Sequence, residues 1–430
     1  LLPAVLCVVK GNINRLSIKG LGKQNGYHFW RWLATKVVNN PLLFFIPSLT
    51  LLLLFSLPFL HAKFGVSDAN ILPEHTQSRL FLDRYKENFN ERNLSPFIMV
   101  STTKKDILSE KSLADLKKLD KKIKALTGVD EVRSIVSLDR KIPAAQYHRM
   151  YDVRDNKKSK DLKQLLNTTT GKNFTTITII SKYPNNSAQS KQLIEDLKQI
   201  TSYKSLSLSL TGAPVNNLEV MSTIANYFPY ALLWILTLTY LILLLLLRSL
   251  FLPFKAIIMN IISLSASYGV LVFVFQEGYL HNLLHFEPQG MLDTSLLIII
   301  FCALFGFSMD YEVFLLTRMK ECYDKTQNTN QSIISGLDQS GRIITSAAVI
   351  VIVLCGSFMA AQVLMVKMFG LGIAVAIFVD AFIVRSLLVP SIMALMQGWN
   401  WYLPKWLEGI LPDSLESQDI PPKRVTKKKS

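Results

Sequence analysis

Most of the residues able to do chemistry inside apolar sequence lie in one stretch. Gly306-Phe307-Ser308-Met309-Asp310-Tyr311-Glu312-Val313 continues an apolar run that starts at Ser295. Two carboxylates and a phenol therefore fall within what reads as the second half of a membrane-spanning helix. At 1.5 Å per residue, Asp310 lies roughly 12 Å before Arg318, the first cationic anchor, and so about a turn from the bilayer midplane. A carboxylate at that depth costs about 2.5 to 3.5 kcal/mol on insertion scales, and residues that bear this cost mark ion or proton pathways. The chemistry implied is reversible protonation of Asp310. Ala303, Gly306, Asp310 and Thr317 share one helical face, so small residues that permit close helix packing lie beside the acid, and the face is expected to point into a bundle.

Glu312 lies two residues on, and the last apolar segment holds a second pair, Asp380 and Arg385. On an α-helix these two stand about 140° apart, so each is expected to face a partner on another helix. They read equally as a structural pair, with Arg385 snorkelling to the surface, or as part of a relay. An aspartyl protease dyad of Asp310 and Asp380 is disfavoured, because the order here is Asp-Tyr and no glycine flanks Asp380. Gly336-Leu337-Asp338-Gln339-Ser340-Gly341-Arg342-Ile343 has the glycine spacing of a phosphate loop but lacks its Lys-Ser/Thr, which argues against ATP. His281 and His285 stand at i, i+4 around Asn282 rather than a zincin Glu. His61, His75 and His148 are scattered, and the four cysteines form no ligand pattern. No metal or other cofactor is expected.

The elements that must position these residues follow from hydropathy. Half of the 430 residues are hydrophobic, mean hydropathy is +0.29, and six apolar segments are long enough to span, which excludes a soluble enzyme. The net charge of +16 reads as a positive-inside asymmetry of Lys and Arg about the membrane rather than a nucleic-acid surface. Residues 1–40 comprise the end of a preceding span and a basic linker with an amphipathic part, and Leu1 to Gly11 aligns without gaps on Leu388 to Gly398, the mark of a repeat. Residues 41–60 form the first complete span. Residues 61–223 turn polar, and strand, helix, strand patterns at 97–102, 109–126 and 129–137 recur at 174–181, 187–200 and 206–211. Two such units suit an inserted ferredoxin-like α/β domain. Residues 224–396 supply five more spans, and residues 397–430 a basic cytoplasmic tail beside anionic lipid. The loop charges place both chain ends and the 318–342 loop in the cytoplasm and the α/β insert outside.

With these residues on the page, the chain resembles the MMPL family of the resistance-nodulation-division (RND) superfamily. The resemblance rests on Gly306 to Leu316, on Arg248-Ser249-Leu250 with Pro253, Lys255 and Gly269, on Ile71-Leu72-Pro73, and on Val379-Asp380-Ala381 with Val384-Arg385 and Pro390. It implies the carboxy-terminal half of a multi-pass transporter in a bacterial inner membrane, built from two repeats of one span, an outer porter domain and five spans. Such a protein couples protons to export of lipids or other amphiphiles. Asp310 and Tyr311 match the Asp-Tyr proton relay of one half, and the implied partners are the proton, the amphiphile, the amino-terminal half and further copies in an oligomer. The alternative is a lipid sensor or scaffold of the same architecture that does not transport. In a cysteine-free background, Asn330→Cys is expected to resist an impermeant thiol reagent in intact cells while Lys121→Cys is labelled, and the opposite pattern would reverse the topology.

Overall fold

The computed structural model describes residues 25–67, 69–73, 75–139, 142–151, 160–184 and 187–408. The repeat at Leu1 to Gly11, the start of the basic linker and most of the basic tail lie outside them. The chain divides into two units, residues 65–230 and residues 1–64 with 231–430.

The first unit is built on a five-stranded antiparallel sheet of β1 (Phe97–Thr102), β2 (Val129–Arg133), β3 (Phe174–Ser181), β4 (Ser202–Tyr203) and β5 (Leu206–Thr211), in the order β2-β3-β1-β5-β4. Helix α1 (Glu110–Lys124) joins β1 to β2, and α2 (Ala188–Lys198) joins β3 to β5, so each β-α-β unit leaves room for one strand of the other. Both helices start at a serine cap: Ser109 Oγ accepts from the Ser112 amide at 3.4 Å and Ser187 Oγ from the Ser190 amide at 3.1 Å. Alternation selects the core. Phe97 and Met99 of β1 and Ile177 and Ile179 of β3 are buried, together with Leu113, Leu116 and Leu119 of α1 and Leu193 and Leu197 of α2. β2 stops at Arg133, short of the expected residue 137, because Ser134 to Ser137 close a turn in which the Ser137 hydroxyl accepts from the Ser134 amide at 2.6 Å. Helices Ala144–Tyr151 and Lys160–Thr169 fill the connection to β3, and Tyr147 and Tyr151 are buried in the core.

The positive-inside reading does not account for the net charge. Residues 65–230 hold 26 Lys and Arg against 18 Asp and Glu, half of the chain's excess of +16. A long inserted domain crosses the membrane largely regardless of its charge, so that excess carries no topological information.

Helices long and apolar enough to cross a membrane make up most of the second unit, and one, Ala213–Leu247, begins in the first. The six such helices among the described residues are Pro41–His61, Ala213–Leu247, Phe251–Gln276, Thr294–Thr326, Thr329–Ala360 and Leu364–Trp401, taken here as the first to sixth spans. The chain is thus a multi-pass membrane protein. Span ends group together. At one end Lys63 O accepts from the Leu292 amide at 2.8 Å, and Lys367 Nζ donates to His285 O at 2.9 Å. At the other end the Leu250 amide donates to Tyr402 O at 3.1 Å, and Trp401 Nε1 donates to Thr329 Oγ1 at 3.1 Å.

The expected loop from Arg318 to Arg342 is almost wholly helical. The fourth span runs to Thr326, Gln327 takes a left-handed φ of 52°, and Asn328 caps the fifth span by accepting from the Gln331 amide at 3.1 Å. The glycines that mimic a phosphate loop therefore lie inside a helix, where they serve packing. A Cβ on Gly336 would stand 2.3 Å from Met319 Cγ, and one on Gly341 would stand 2.6 Å from the Trp30 ring. Trp30, Ala34 and Val37 form the buried face of the amphipathic helix Asn25–Asn39, which packs along this part of the fifth span.

Gly269 makes the tightest approach: a Cβ there would stand 1.8 Å from Phe55 O of the first span, whereas one on Gly306 would meet nothing within 4 Å. In this chain expressed alone, Gly269→Ala should lower stability by about 1 to 3 kcal/mol, the usual range for overpacking. Gly306→Ala should leave the thermal transition unchanged or raise it. Equal effects of the two substitutions would refute this packing.

Candidate functional site

The polar centre of the bundle is set by the shape of the sixth span. Pro390 has no amide hydrogen to give the carbonyl one turn earlier, and its ring crowds that carbonyl in an α-helix. The ten residues before the final helix, Val379–Leu388, are π-helical. In that geometry residues i and i+5 stack on one face. Ser386 Oγ donates to Ala381 O at 2.7 Å, and Arg385 Nη2 bonds to Asp380 Oδ2. The 140° separation expected of an α-helix does not hold, and the two charges pair directly. Both are buried, at 8% and 3% exposure for Asp380 and Arg385.

Arg385 also reaches the fourth span, where Nη2 donates to the Ser308 carbonyl and to Ser308 Oγ at 3.0 Å. Ser308 Oγ in turn donates to Asn260 Oδ1 of the third span at 2.5 Å, and Asn260 Nδ2 faces Glu312 Oε2 at 3.4 Å. Three spans are thereby joined by one polar string, Asp380-Arg385-Ser308-Asn260-Glu312. Lys255 of the third span is buried as well, at 5% exposure, and Glu312 at 3%. Lys255 Nζ, Glu312 Oε1, Asp380 Oδ1, Arg385 Nε and Arg385 Nη1 have no hydrogen-bond partner among the described residues. A cavity of about 20 Å³, lined by Asn260, Ser308, Tyr311, Asp380 and Arg385 among others but not by Lys255 or Glu312, has room for one water. The Arg385 guanidinium stands 5.2 Å from the centroid of the Tyr311 ring, a cation–π contact. The two carboxylates can each hold a proton, and the hydrogen-bonded groups between them couple one to the other. Among the described residues no group of three or more His, Cys, Asp or Glu side chains is arranged to hold a metal ion.

The residues singled out from sequence separate into two sets. Glu312, Asp380, Arg385 and Tyr311 meet at this cluster, Tyr311 half-buried and lining the cavity. Asp310 and Gly306 are exposed at the surface of the unit, while Ala303 and Thr317 are half-buried. The face expected to point inward is thus uncovered among the described residues. Neighbouring helices instead cover the sides of the fourth span that carry Ile300, Leu304, Glu312, Leu315 and Met319. Successive helical residues point about 100° apart, so Tyr311 turns to the cluster while Asp310 turns away from it. Asn260, Ser308 and Lys255 were missed as site residues. Asn260 and Lys255 carried a signal, being the amide and the cation of an otherwise apolar span, whereas a serine in a helix gives none.

Comparison with known proteins agrees with this architecture. The MMPL family profile matches residues 70–409. The membrane protein YdfJ of Bacillus subtilis is 30% identical over 415 residues, covering 96% of this chain and 52% of YdfJ. The trehalose monomycolate exporter MmpL3 of Mycobacterium tuberculosis is 27% identical over 380 residues, covering 88% of this chain and 37% of MmpL3. The heme uptake protein MmpL11 of Mycobacterium tuberculosis is 42% identical over 184 residues, covering 43% of this chain and 19% of MmpL11. The chain thus matches about half the length of YdfJ and less of the other two. With a profile match running through the α/β unit and all five later spans, the chain belongs to the MMPL family.

Proposed function

We propose that this chain is one half of a proton-driven transporter of lipids or other amphiphiles, seated in a bacterial inner membrane and working as a secondary active carrier rather than an enzyme. The observation that carries the reading is the division of the fourth span. One of its faces brings Tyr311 and Glu312 to a buried cluster of charges, while the next carries Asp310 beside Gly306 at an uncovered surface. An acid at this depth beside open space suits a surface that a second helix bundle covers, and the other half of the transporter is the proposed cover. Asp310 binds the transported proton there. Tyr311, on the adjoining face, lines the cavity of the buried cluster, where Asp380, Arg385 and Glu312 form a second relay behind Asp310. A membrane potential adds about 2.3 kcal/mol per charge per 100 mV, enough to bias such a cycle in one direction.

The split β-α-β order of the 65–230 unit supports reading it as a ferredoxin-like porter domain outside the membrane that encloses the substrate path. The exporter name of MmpL3 favours outward movement of a lipid. The uptake name of MmpL11 favours a second reading, in which the same proton cycle draws an amphiphile inward.

Two experiments separate these roles from structural ones. In the complete transporter, reconstituted in liposomes with a fluorescent lipid and an imposed pH gradient, Asp310→Asn should insert and fold normally yet reduce gradient-driven movement to background. Tyr311→Phe should only slow it. Transport by the Asn variant at the normal rate, still collapsed by an uncoupler, would make Asp310 structural. For the buried pair, Arg385→Met should cost about 3 to 5 kcal/mol of stability by stranding Asp380, and the double variant Asp380→Asn with Arg385→Met should recover most of that loss. If the relay assignment holds, the double variant stays inactive in the same liposome assay, and restored transport would reduce the pair to a structural tie.

A further inference from the structure

Half of the net charge lies in the 65–230 unit, and part of it converges on one concavity. A cavity of about 520 Å³ opens where the end of β1, the start of α1 and the β4–β5 hairpin meet. Lys104 and Lys105 line it from the chain after β1, Lys111 from the first turn of α1, and Lys204 from the hairpin. The remaining lining is almost entirely hydroxyl, including Ser109, Ser112, Ser202 and Ser205, and no Asp or Glu lines it. Asp115 stands just behind, holding Lys204 Nζ at 3.4 Å and the Ser205 hydroxyl at 2.8 Å.

Two of these lysines sit where local rules disfavour them. Lys111 occupies the amino-terminal turn of a fifteen-residue helix, the end at which the macrodipole opposes a cation. Lys204 holds a left-handed φ of 52° in a tight hairpin, a conformation that Gly or Asn adopts at far less cost. Violations of local preference that collect at one place mark function rather than folding. Ser109, Ser112 and Ser205 already donate within the chain, so the donors left for a phosphate are chiefly the lysine ammonium groups, beside a helix start whose dipole favours an anion.

We propose that this cavity binds a phosphoester anion. Its occupant is a phosphate-bearing headgroup or a free phosphate compound of similar size, held by Lys104, Lys105, Lys111 and Lys204. The site belongs to the α/β unit alone and does not depend on proton coupling in the bundle.

The test uses the whole chain in nanodiscs of phosphatidylcholine, titrated calorimetrically with inorganic pyrophosphate and, separately, with water-soluble dihexanoylphosphatidic acid. Both should bind saturably. Tighter binding of the short-chain lipid assigns the site to a headgroup, and tighter binding of pyrophosphate to a free phosphate. The triple variant Lys104→Gln, Lys105→Gln and Lys204→Gln should weaken binding by about tenfold or more, since charge-assisted hydrogen bonds are lost. The matched triple Lys121→Gln, Lys124→Gln and Lys191→Gln, which removes equal charge from the outer surfaces of α1 and α2, should change it less than about twofold. Lys204→Gly keeps the test independent of folding, because it relaxes the strained backbone. It should raise the thermal transition while weakening binding severalfold. Equal loss in the two triple variants, unsaturable binding of both probes, or full binding by the Gly variant would overturn the site.

Discussion

A charge taken into a bilayer must meet another group there, and the polar interior of this bundle follows from how Asp380 and Arg385 do so. Five residues apart on an α-helix they would point to different neighbours. Pro390 stands two positions beyond the π-helical segment, and the widened turn brings the two charges onto one face. Once paired, Arg385 still has donors to spend, and Ser308 and Asn260 extend the contact across two further spans to Glu312. Those spans are close enough because small side chains line their crossings. At Gly372 of the sixth span a Cβ would stand 2.9 Å from Ile300 of the fourth and 3.1 Å from Leu271 of the third. Breaking either charge would strand its partner where water cannot replace it.

The fourth span shows how one helix serves two environments. Tyr311 and Glu312 are sequence neighbours of Asp310, but each helical step turns the side chain by about 100°. The cluster claims the first two, and the third is left on a surface with Gly306. A membrane helix that exposed this face to lipid would bear the cost of the carboxylate for nothing, since none of the described residues covers it. The inference that another helix bundle covers it rests on that imbalance as much as on family likeness.

How much of this was legible in the sequence depended on the range of the signal. Six apolar segments and the two strand-helix-strand repeats of the α/β unit stood out because hydropathy and period two are local patterns. The long fifth helix was hidden from residue 329 to residue 342, where polar and glycine residues broke the apolar run. Those glycines answer to Met319 and Trp30, contacts distant in sequence. The tie between Asp380 and Arg385 was illegible for a different reason, since spacing was read at 3.6 residues per turn and the helix there is wider. Asp310 stood out by its chemistry, yet its orientation is a property of which neighbours the fourth span acquires. The charge of the α/β unit was visible by counting and was misattributed to topology.

The cluster itself is poised between arrangements. Five polar atoms of Lys255, Glu312, Asp380 and Arg385 lack partners, and the adjacent cavity admits a single water, which makes at most about four hydrogen bonds. In this geometry one water cannot satisfy every group, since Lys255 and Glu312 do not line the cavity. Protonating Asp380 would convert an acceptor into a donor and cancel the charge that holds Arg385. The guanidinium would then be drawn toward Glu312 or the Tyr311 ring, the remaining attractions within the string. Protonation state and side-chain position are therefore linked, because the interior lacks enough partners to satisfy both states in one geometry. In the proposed proton-driven cycle, that shortage would let one added proton favour one packing of the third, fourth and sixth spans over another.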